Sequence, residues 1–301
     1  MLTLGPFTGI ASNVAGIVIP CFNASNTLSR AIDSVIGQSY QDWRLIVVDD
    51  GSHDESLEIA RGYESIYPDK VAVISSPNQG ACSARLIGVA NTVSEYIAFL
   101  DADDYWDQSK LQIQLDYLEA DPDLHGVTTG FLLERFLLKS LSSRRTFSWS
   151  WDEMVGWTMS GSKAPALNST LMMRRDAYVR IGGHDPELGS HADDLDLGWR
   201  IFSRTKVLGI PSSVVTLGSS PSQVHREVKK MTNARIRVIG RVRDLDSDLA
   251  ERALRFVNVS YEVRSIVSTL GLKSALSLAE YCLRNPRTVA WYLLVLLGMK
   301  H

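Results

Sequence analysis

Three carboxylates within four residues are the part of this sequence with the clearest chemical potential. Asp101, Asp103 and Asp104 directly follow the apolar run Tyr96–Leu100. Carboxylates held this close raise one another's pKa unless a cation lies among them. Hard oxygen ligands suit Mg²⁺ or Mn²⁺ rather than Zn²⁺. The pattern therefore indicates a divalent metal site; the alternative is a helix N-cap, where aspartate is also favoured.

Three earlier apolar runs also end in polar or turn-forming residues. These residues are Pro20, Phe22 and Asn23 after the first run, Asp49 and Asp50 after the second, and Arg85 in the segment after the third. Open α/β sheets bind ligands at the carboxyl ends of their strands. An aromatic ring, an acid pair, an arginine and the acid cluster could together hold a base, a ribose and a diphosphate there. Taken singly, Asp49 and Asp50 could instead form a capped turn, and Arg85 could be a surface helix residue.

The elements that must position these residues alternate between strand and helix patterns. The predicted strands are Val14–Pro20, Trp43–Val48, Val71–Ser75 and Tyr96–Leu100, with a further one at Asn168–Met173. The predicted helices are Ser25–Gly37, Glu55–Tyr63, Ala81–Asn91 and Ser109–Ala120. This alternation predicts βαβ units and a largely parallel sheet. The nearly continuous apolar strands indicate a sheet covered on both faces.

Composition limits the class of protein. A net charge of −3 offers no general reason to expect nucleic acid, and 45% hydrophobic with 22% charged residues is ordinary for a soluble globular chain. Three widely spaced cysteines indicate neither a disulfide framework nor a CxxC metal site, so a reducing cytoplasm is the simplest setting. The segment 1–15 lacks the basic start of a signal peptide. No apolar run reaches the roughly 18 residues that a membrane span needs.

The order and spacing of four motifs resemble family 2 glycosyltransferases of the GT-A fold. The motifs are IPCFN, VVDDGSHD, NQGACSARLIGV and YIAFLDADD, and the resemblance covers roughly residues 14–205. It implies the α/β, Rossmann-like fold of nucleotide-diphospho-sugar transferases, a mixed but mostly parallel sheet with flanking helices. After Pro221 the composition changes to helix formers. We therefore assign residues 1–218 to the GT-A domain and 219–301 to a C-terminal helical extension.

The resemblance also implies an activity. The enzyme would move one sugar, with inversion, from a nucleotide sugar to a hydroxyl of a glycan or lipid-linked acceptor, in the synthesis of cell-surface polysaccharide or glycoconjugate. A UDP-sugar is the favoured donor. The QxxRW motif of processive synthases is absent from the sequence, which favours one sugar per binding event.

The resemblance implies roles for the nucleotide-sugar residues. Asp50 would hydrogen-bond the uracil, Phe22 would lie beside the nucleoside, and Arg85 would assist base or phosphate binding. Phe22 stands where tyrosine is more usual, which removes a hydroxyl contact. The other residues placed in this site are Pro20, Asn23, Asp49, Asp101 and Ala102.

The acid cluster would be the family's DxD motif. Asp101 and Asp103 would form it, with Asp103 the more direct ligand of Mg²⁺ or Mn²⁺. The ion would neutralise charge on the diphosphate leaving group.

A catalytic base is the second requirement, because an acceptor hydroxyl attacks only if a carboxylate takes its proton. Asp193 and Asp194 stand where the family has a Glu-Asp pair before a helix. The resemblance makes Asp194 the base and gives Asp193 the orientation of the acceptor. The start of a helix favours a charged carboxylate. The alternative is that either aspartate caps a helix over Leu195–Ser203.

The C-terminal part offers two further candidate sites. His225 and Arg226 stand where many relatives place a histidine or basic residue near the diphosphate; the alternative is a solvated helix residue. The basic stretch 226–243 and the apolar segment 289–299 favour peripheral contact with anionic lipid at the inner face of the cell membrane. A helix buried against the catalytic domain is the equally weighted alternative.

Other functions remain open at this level. A sugar-nucleotide nucleotidyltransferase would usually carry a glycine-rich basic loop after its first strand, and Cys21–Ser29 lacks one. The missing GxGxxG argues against a dehydrogenase. A catalytically inactive nucleotide-sugar-binding protein is disfavoured by the intact DxD motif and Asp194.

Overall fold

The computed structural model describes residues 14–133, 168–189, 191–218 and 228–242. The chain divides into two compact units, one of Met1–Ser148 with Ala166–Ser220 and the other of Trp149–Pro165 with Pro221–His301. The second unit contains the helix Val228–Val242. All other elements described below belong to the first unit.

The first unit alternates strands and helices over its first half. Its strands are β1 (Ala15–Cys21), β2 (Trp43–Asp49), β3 (Val71–Ser75), β4 (Tyr96–Phe99), β5 (Tyr105–Trp106), β6 (Gly126–Leu133), β7 (Leu171–Arg174) and β8 (Val207–Leu217). Its helices are α1 (Leu28–Ile36), α2 (Ser56–Ile66), α3 (Ala81–Ala90), α4 (Lys110–Ala120), α5 (Arg175–Arg180) and α6 (Asp193–Arg204), and the helix of the second unit is α7 (Val228–Val242). The four strands and four helices predicted before residue 121 are all confirmed.

The described strands form one mixed sheet in the order β3-β2-β1-β4-β7-β6-β8-β5. Neighbours pair in parallel between β3 and β2, β2 and β1, β1 and β4, and β6 and β8. The strand β7 runs antiparallel to both β4 and β6, and β5 runs antiparallel to β8. The prediction of a mixed, mostly parallel α/β sheet with flanking helices is thus confirmed.

The strand predicted at Asn168–Met173 is only partly correct. Asn168–Thr170 forms a 3-10 turn, and the strand begins at Leu171. The reason is that the three polar side chains turn to separate buried partners: Asn168 to Asp193, Ser169 to Asp104, and Thr170 to Thr128.

Alternate residues of the central strands pack on opposite faces of the sheet. Ile17 and Ile19 belong to one core cluster, with Leu28 and Ile32 of α1. Val18 between them belongs to the other, with Ile201 of α6. Because successive side chains of a strand point to opposite faces, a strand apolar at every position must be covered on both sides. The expectation from the apolar runs holds.

Lys110 is a charged residue type at a fully buried position. Its side chain begins α4 at 0% exposure. The Lys110 Nζ atom donates to Gln114 Oε1 at 2.6 Å and lies 3.9 Å from the centre of the Trp106 ring. No carboxylate among the described residues pairs with it. Burial therefore lowers its pKa well below the ordinary value.

The buried Lys110 should consequently make the stability of the protein depend on pH. A pKa lowered in the folded state means that the unfolded chain binds a proton which the folded chain lacks, so stability rises with pH up to the unfolded pKa of about 10.4. In Lys110→Met this contribution is absent. We expect the free energy of unfolding of the wild type to increase relative to that of Lys110→Met as pH rises from about 7 to about 9.5. Urea titrations of both proteins at the two pH values measure the gap, and a gap independent of pH would contradict a neutral Lys110.

Candidate active site

The carboxyl ends of the parallel strands meet at one edge of the sheet. Cys21 at the end of β1 pairs with Asp49 at the end of β2, which pairs with Ser75 at the end of β3. The backbone N–H of Asp50 donates to the Cys21 carbonyl at 2.8 Å. Asp101 follows β4, which pairs with β1 on its other side. The polar segments singled out in the sequence therefore converge as predicted.

Arg85 joins two motifs that are 92 positions apart in the chain, those containing Asp101 and Asp193. One guanidinium nitrogen donates to Asp101 Oδ1 and another to Asp193 Oδ2, each at 2.6 Å. The Arg85 side chain is only 4% exposed. Burial opposes its charge, but the two carboxylates outweigh that effect and raise its pKa. The residue is thus an internal fork between the DxD motif and the first turn of α6, and its interpretation as a surface helix residue is wrong.

Asp193 is ionised in this setting. Burial alone would raise the pKa of its carboxyl, but Arg85 together with a hydrogen bond from Asn168 holds that pKa below its usual range. The Asn168 amide nitrogen donates to Asp193 Oδ2 at 2.9 Å, the same oxygen that accepts from Arg85. One oxygen of Asp193 is therefore occupied by internal partners.

The third acid of the cluster has a structural part that the sequence did not indicate. Asp104 is buried, and its two oxygens accept hydrogen bonds from the Gly218 N–H at 2.9 Å and the Ser169 hydroxyl at 2.5 Å. The same hydroxyl oxygen accepts from the Asp101 N–H at 3.1 Å. Asp104 thus ties the loop after β4 to the end of β8 and to the turn before β7.

Gly218 is required where it meets this loop. A Cβ atom at position 218 would lie 1.9 Å from the Asp103 carbonyl oxygen, so only glycine fits without moving the loop. The Arg30 guanidinium donates to the same carbonyl at 3.1 Å and stacks over the Tyr105 ring at 4.4 Å. The backbone around the DxD motif is therefore held from both sides.

Asp103 and Asp101 fit a hard divalent cation. Burial, followed by the nearby Asp101 charge, raises the pKa of Asp103 to about 6. No group of three or more His, Cys, Asp or Glu side chains within the described ranges is arranged to hold a metal by itself. Mg²⁺ usually needs only one or two carboxylates, because water and substrate phosphates complete its shell. The two oxygen-donor side chains match that requirement.

Two loops beside the acid cluster form the region predicted to receive the nucleoside. The Phe22 side chain is 41% exposed and meets the His53 ring edge-on, with ring centroids 6.4 Å apart. Asn23 has a φ of 50°, and its side-chain oxygen accepts from the His53 N–H at 2.8 Å. The Asn23 N–H in turn donates to the Ser52 hydroxyl at 3.0 Å. The loops after β1 and β2 are therefore tied together, with an aromatic face left accessible.

The acid pair of the second motif is mostly buried. Asp50 accepts from the N–H groups of Gln79 and Gly80, each at 2.8 Å, and burial raises its pKa despite these bonds. It therefore also anchors the start of α3. Asp49 lies within reach of the Ser52 N–H at 3.4 Å. Both acids take part in a turn, as the alternative interpretation proposed, while lying at the predicted edge. Pro20 and Ala102 are buried at the same edge.

The helix α6 begins two residues earlier than the capping alternative required. It starts at Asp193, and its cap position is Ala192, which has a left-handed φ of 57°. The interpretation of Asp193 or Asp194 as the cap of a helix over Leu195–Ser203 is therefore wrong. Asp194 is half-buried in the first turn, and one of its oxygens accepts from the Leu195 N–H at 2.8 Å. The positive end of the helix favours its charged form.

Several site residues escaped the sequence interpretation. Asn168, Ser169, Tyr178, His184 and Gly218 support the motifs but were given no role from the sequence. The only available signal was the polar triplet Asn168–Thr170 inside an otherwise apolar predicted strand. The predicted diphosphate residues His225 and Arg226 lie outside the described residues.

Comparison with known proteins gives one family and a set of similar structures. A sequence profile described as Glycosyl transferase family 2 matches residues 16–179. GgaA of Bacillus subtilis (strain 168), described as a minor teichoic acid biosynthesis protein, is 37% identical over 106 residues, which are 34% of this chain and 24% of GgaA. The matched segments span between 15% and 66% of the lengths of the eight curated relatives compared.

Two solved structures share the fold at low sequence identity. Residues 1-349 of S. aureus TarS in complex with UDP-GlcNAc superpose with a TM-score of 0.63 and 13% identity, covering 94% of this chain and 81% of that one. The mannosyltransferase PcManGT from Pyrobaculum calidifontis, in complex with GDP-Man and Mn²⁺, gives a TM-score of 0.61 and 17% identity, covering 99% and 88%. At these identities the likeness establishes the fold.

Proposed function

Because this chain belongs to glycosyl transferase family 2, we propose that it transfers one sugar from a nucleotide sugar to a hydroxyl group, with inversion at the anomeric carbon. The observation that carries this proposal is the Arg85 fork, which brings the DxD motif and the α6 acids into one site at 2.6 Å on each side. A site for donor activation and a site for acceptor deprotonation must adjoin for a single displacement to occur.

The chain's own residues divide the work between the two substrates. We assign nucleoside binding to Phe22, Asn23 and Asp50, with Pro20 and Asp49 shaping the loops around them. Asp103 and Asp101 would hold Mg²⁺ or Mn²⁺. When bound, the ion would neutralise negative charge on the diphosphate leaving group. Asp194 takes the proton of the acceptor hydroxyl as general base. Asp193 is proposed to orient the acceptor, and it also holds this turn of α6 through Arg85 and Asn168. His225 and Arg226 are proposed to contact the diphosphate.

A UDP-sugar is the proposed donor, and a glycan or lipid-linked glycan of the cell surface is the proposed acceptor. The UDP-GlcNAc complex of TarS and the teichoic acid role named for GgaA support both proposals. Because PcManGT was solved with GDP-Man, GDP-sugars are the first alternative donors to compare with UDP-sugars. A thermal-shift panel of UDP- and GDP-sugars with Mn²⁺ tests the donor class. Stabilisation by a UDP-sugar supports the proposal, and no shift with any nucleotide sugar would contradict it.

Asp103→Ala should remove the metal dependence of nucleotide binding. The substitution deletes the carboxylate that would hold the ion but leaves the backbone carbonyl of residue 103, which Arg30 and Gly218 contact. We expect Mn²⁺ to tighten UDP binding at least about 10-fold in the wild type, worth about 1.4 kcal/mol, and to have little effect in the variant. Calorimetric titration of UDP with and without Mn²⁺ measures this. Asp123→Ala, at an exposed acid near the end of α4, is the matched control.

Equal UDP affinities with and without Mn²⁺ in the wild type would instead remove the metal from the proposal. Measuring UDP release distinguishes the enzyme from the alternative of an inactive binding protein, because that alternative predicts binding of the nucleotide sugar without release of UDP. A nucleotidyltransferase would form a nucleotide sugar from a sugar phosphate and UTP, which the same chain can be assayed for directly.

We further propose that the regions 226–243 and 289–299 hold the enzyme at the inner face of the cell membrane, with residues 1–218 as the catalytic domain and 219–301 as a helical extension. Support comes from α7, where Lys230, Arg237 and Arg241 occupy exposed positions. Basic residues near a membrane surface contribute about 1 kcal/mol each toward anionic lipid. None of the described helices has the length and apolar character needed to cross a bilayer. The segment 289–299 lies outside the described residues.

Vesicle co-sedimentation at low salt tests the membrane proposal. We expect binding to phosphatidylglycerol vesicles and much weaker binding to phosphatidylcholine vesicles, because the attraction is electrostatic. The triple variant Lys230→Gln, Arg237→Gln, Arg241→Gln should lose most of it. Equal recovery of wild type and variant in the supernatant would favour the alternative, in which the helices pack within the protein.

A further inference from the structure

A chain of buried hydrogen bonds runs behind the Arg85 fork and determines which protons its members carry. The backbone N–H of His184 donates to the Tyr178 hydroxyl oxygen at 3.0 Å. The same hydroxyl lies 2.8 Å from the ring nitrogen Nδ1 of His184. Tyr178 can donate its one proton to that ring nitrogen. The Asp193 carboxylate only accepts, so it holds the Asn168 amide nitrogen and leaves Asn168 Oδ1 facing His184 Nε2, which must then donate. His184 Nδ1 is then unprotonated, so the neutral ring carries its proton on Nε2.

The protonated nitrogen orients the next residue in the chain. His184 Nε2 lies 3.0 Å from Asn168 Oδ1, and an amide oxygen can only accept. The Asn168 amide nitrogen consequently faces Asp193, to which it donates at 2.9 Å. A reversed amide would place two oxygens against each other and leave a buried donor unpaired. His184 is fully buried, and burial keeps the pKa of its ring well below the ordinary value, which matches a neutral ring.

The end of this chain lies at a strained point of the backbone. Ala192 adopts a left-handed conformation at φ 57°, which a residue with a Cβ atom adopts at a cost and only where the surroundings enforce it. Asp193, the next residue, is the one held by Arg85 and Asn168 together. The first turn of α6, which presents Asp194, is therefore anchored through the Asp193 side chain.

Resting on the proposed function, we propose that His184 is a positioning residue for the catalytic base: through Asn168 and Asp193 it fixes the turn that presents Asp194. Arg85 and Asn168 donate to the same oxygen of Asp193, so the amide of Asn168 adds a second directional bond to that of the guanidinium. Gly183 allows the Tyr178 ring to pack at this place, because a Cβ atom at position 183 would lie 2.9 Å from that ring.

The tautomer can be tested on the free protein. Long-range ¹H–¹⁵N NMR spectra distinguish the two neutral forms of a histidine ring. We expect His184 to be neutral with its proton on Nε2 from about pH 5.5 to about pH 8. In Tyr178→Phe the Nδ1 nitrogen loses its hydrogen-bond donor, so its ¹⁵N resonance should shift. A proton on Nδ1, or titration of the ring in this interval, would overturn the proposed relay, and neither result depends on a substrate.

Kinetics test the positioning role. In His184→Phe the ring volume is kept but Asn168 loses its orienting donor, whereas the side-chain amide of His184→Gln can still donate to Asn168 Oδ1. We expect His184→Phe to lower turnover about 10- to 100-fold with the KM for the nucleotide sugar changed less than about 3-fold, and His184→Gln to restore most of it. The measurement is release of UDP from UDP-GlcNAc with Mn²⁺ and, as the second probe, release of GDP from GDP-mannose.

The control is a substitution that destabilises the same helix without touching the relay. Ile201 is fully buried on α6, so Ile201→Val should lower Tm while leaving turnover per folded molecule unchanged. A loss of turnover in all three variants in proportion to their Tm would overturn the positioning role in favour of a purely structural one. Absence of UDP release from the wild type itself would count against the proposed function, while the NMR result would still decide the relay.

Discussion

Asp194→Asn is expected to lower the turnover of sugar transfer by about 10²- to 10⁴-fold, the usual contribution of a general base. The amide has the size of the carboxylate but cannot take a proton from the acceptor hydroxyl. Its oxygen can still accept from the Leu195 N–H, the bond that Asp194 makes at 2.8 Å, so the start of α6 is retained. Affinity for the nucleotide sugar should stay within about 2-fold, because the substitution removes only a transition-state interaction.

Steady-state transfer and calorimetric binding of the nucleotide sugar measure the two halves of this prediction. Asp176→Asn is a matched control, since Asp176 is also an aspartate in the first turn of a helix, α5, but lies in an exposed ion pair with Arg180. Near-normal turnover in Asp194→Asn would move the base elsewhere, first to Asp193. Loss of nucleotide-sugar binding together with turnover would mean that Asp194 supports the donor site instead.

Arg85→Met is expected to destabilise the chain by about 3–5 kcal/mol, the range for removing one partner of a buried ion pair. The apolar side chain fills similar space but leaves the carboxylates of Asp101 and Asp193 without their shared cation. Asp193 is the more costly of the two, because it is buried while the Asp101 side chain is 38% exposed. Urea unfolding at about pH 7 measures the loss.

The pH dependence identifies the cause of that loss. In the wild type the pKa of Asp193 is lowered, so its contribution to stability is present above the unfolded pKa of about 3.9 and is lost only as pH falls through the folded value. Without Arg85 the buried carboxyl is left with desolvation, which raises its pKa and makes proton uptake favour the folded state. The deficit of Arg85→Met relative to the wild type should therefore shrink as pH falls from about 7 toward about 4.5.

Two further variants keep this prediction testable. Arg61→Met removes an exposed arginine that pairs with Glu64 and should cost at most about 1 kcal/mol. Arg85→Lys retains the charge but has one nitrogen in place of a fork, so it should fall between the wild type and Arg85→Met. A deficit for Arg85→Met as small as that of Arg61→Met, and independent of pH, would contradict the bridging role.

Local patterns predicted the half of the fold that carries the motifs. The strands β1 to β4 are short, apolar and bounded by turn residues, and each alternates with a helix of clear apolar periodicity. Because parallel strands have their carboxyl ends at one edge of the sheet, the meeting of Asp49, Asp101 and the loop before Arg85 follows as well. The place of β4 beside β1, and not beside β3, does not follow from these patterns. The boundaries differ by only a few residues, as for α1, which starts at Leu28 rather than Ser25.

The later strands could not be found in the same way. The strand β8 extends over Val207–Leu217 although its sequence contains Pro211 and two serines. It pairs with β6 across a register shift between Thr129 and Gly130 and between Gly130 and Phe131. A strand whose pattern is interrupted is stabilised by its neighbour in the sheet rather than by its own periodicity, and that neighbour lies about 80 residues away in the chain.

By itself, the sequence determined the parallel half of the sheet, the identity of the motifs and the edge at which they meet, because each depends on residues close together in the chain. Tertiary structure decided what the charged residues do there. It made Asp104 an anchor for Gly218, converted Arg85 into a fork between Asp101 and Asp193, and oriented Asn168 through His184. These roles depend on burial and on partners 16 to 114 positions away, where the loss of water makes each pairing strong and each unpaired group costly.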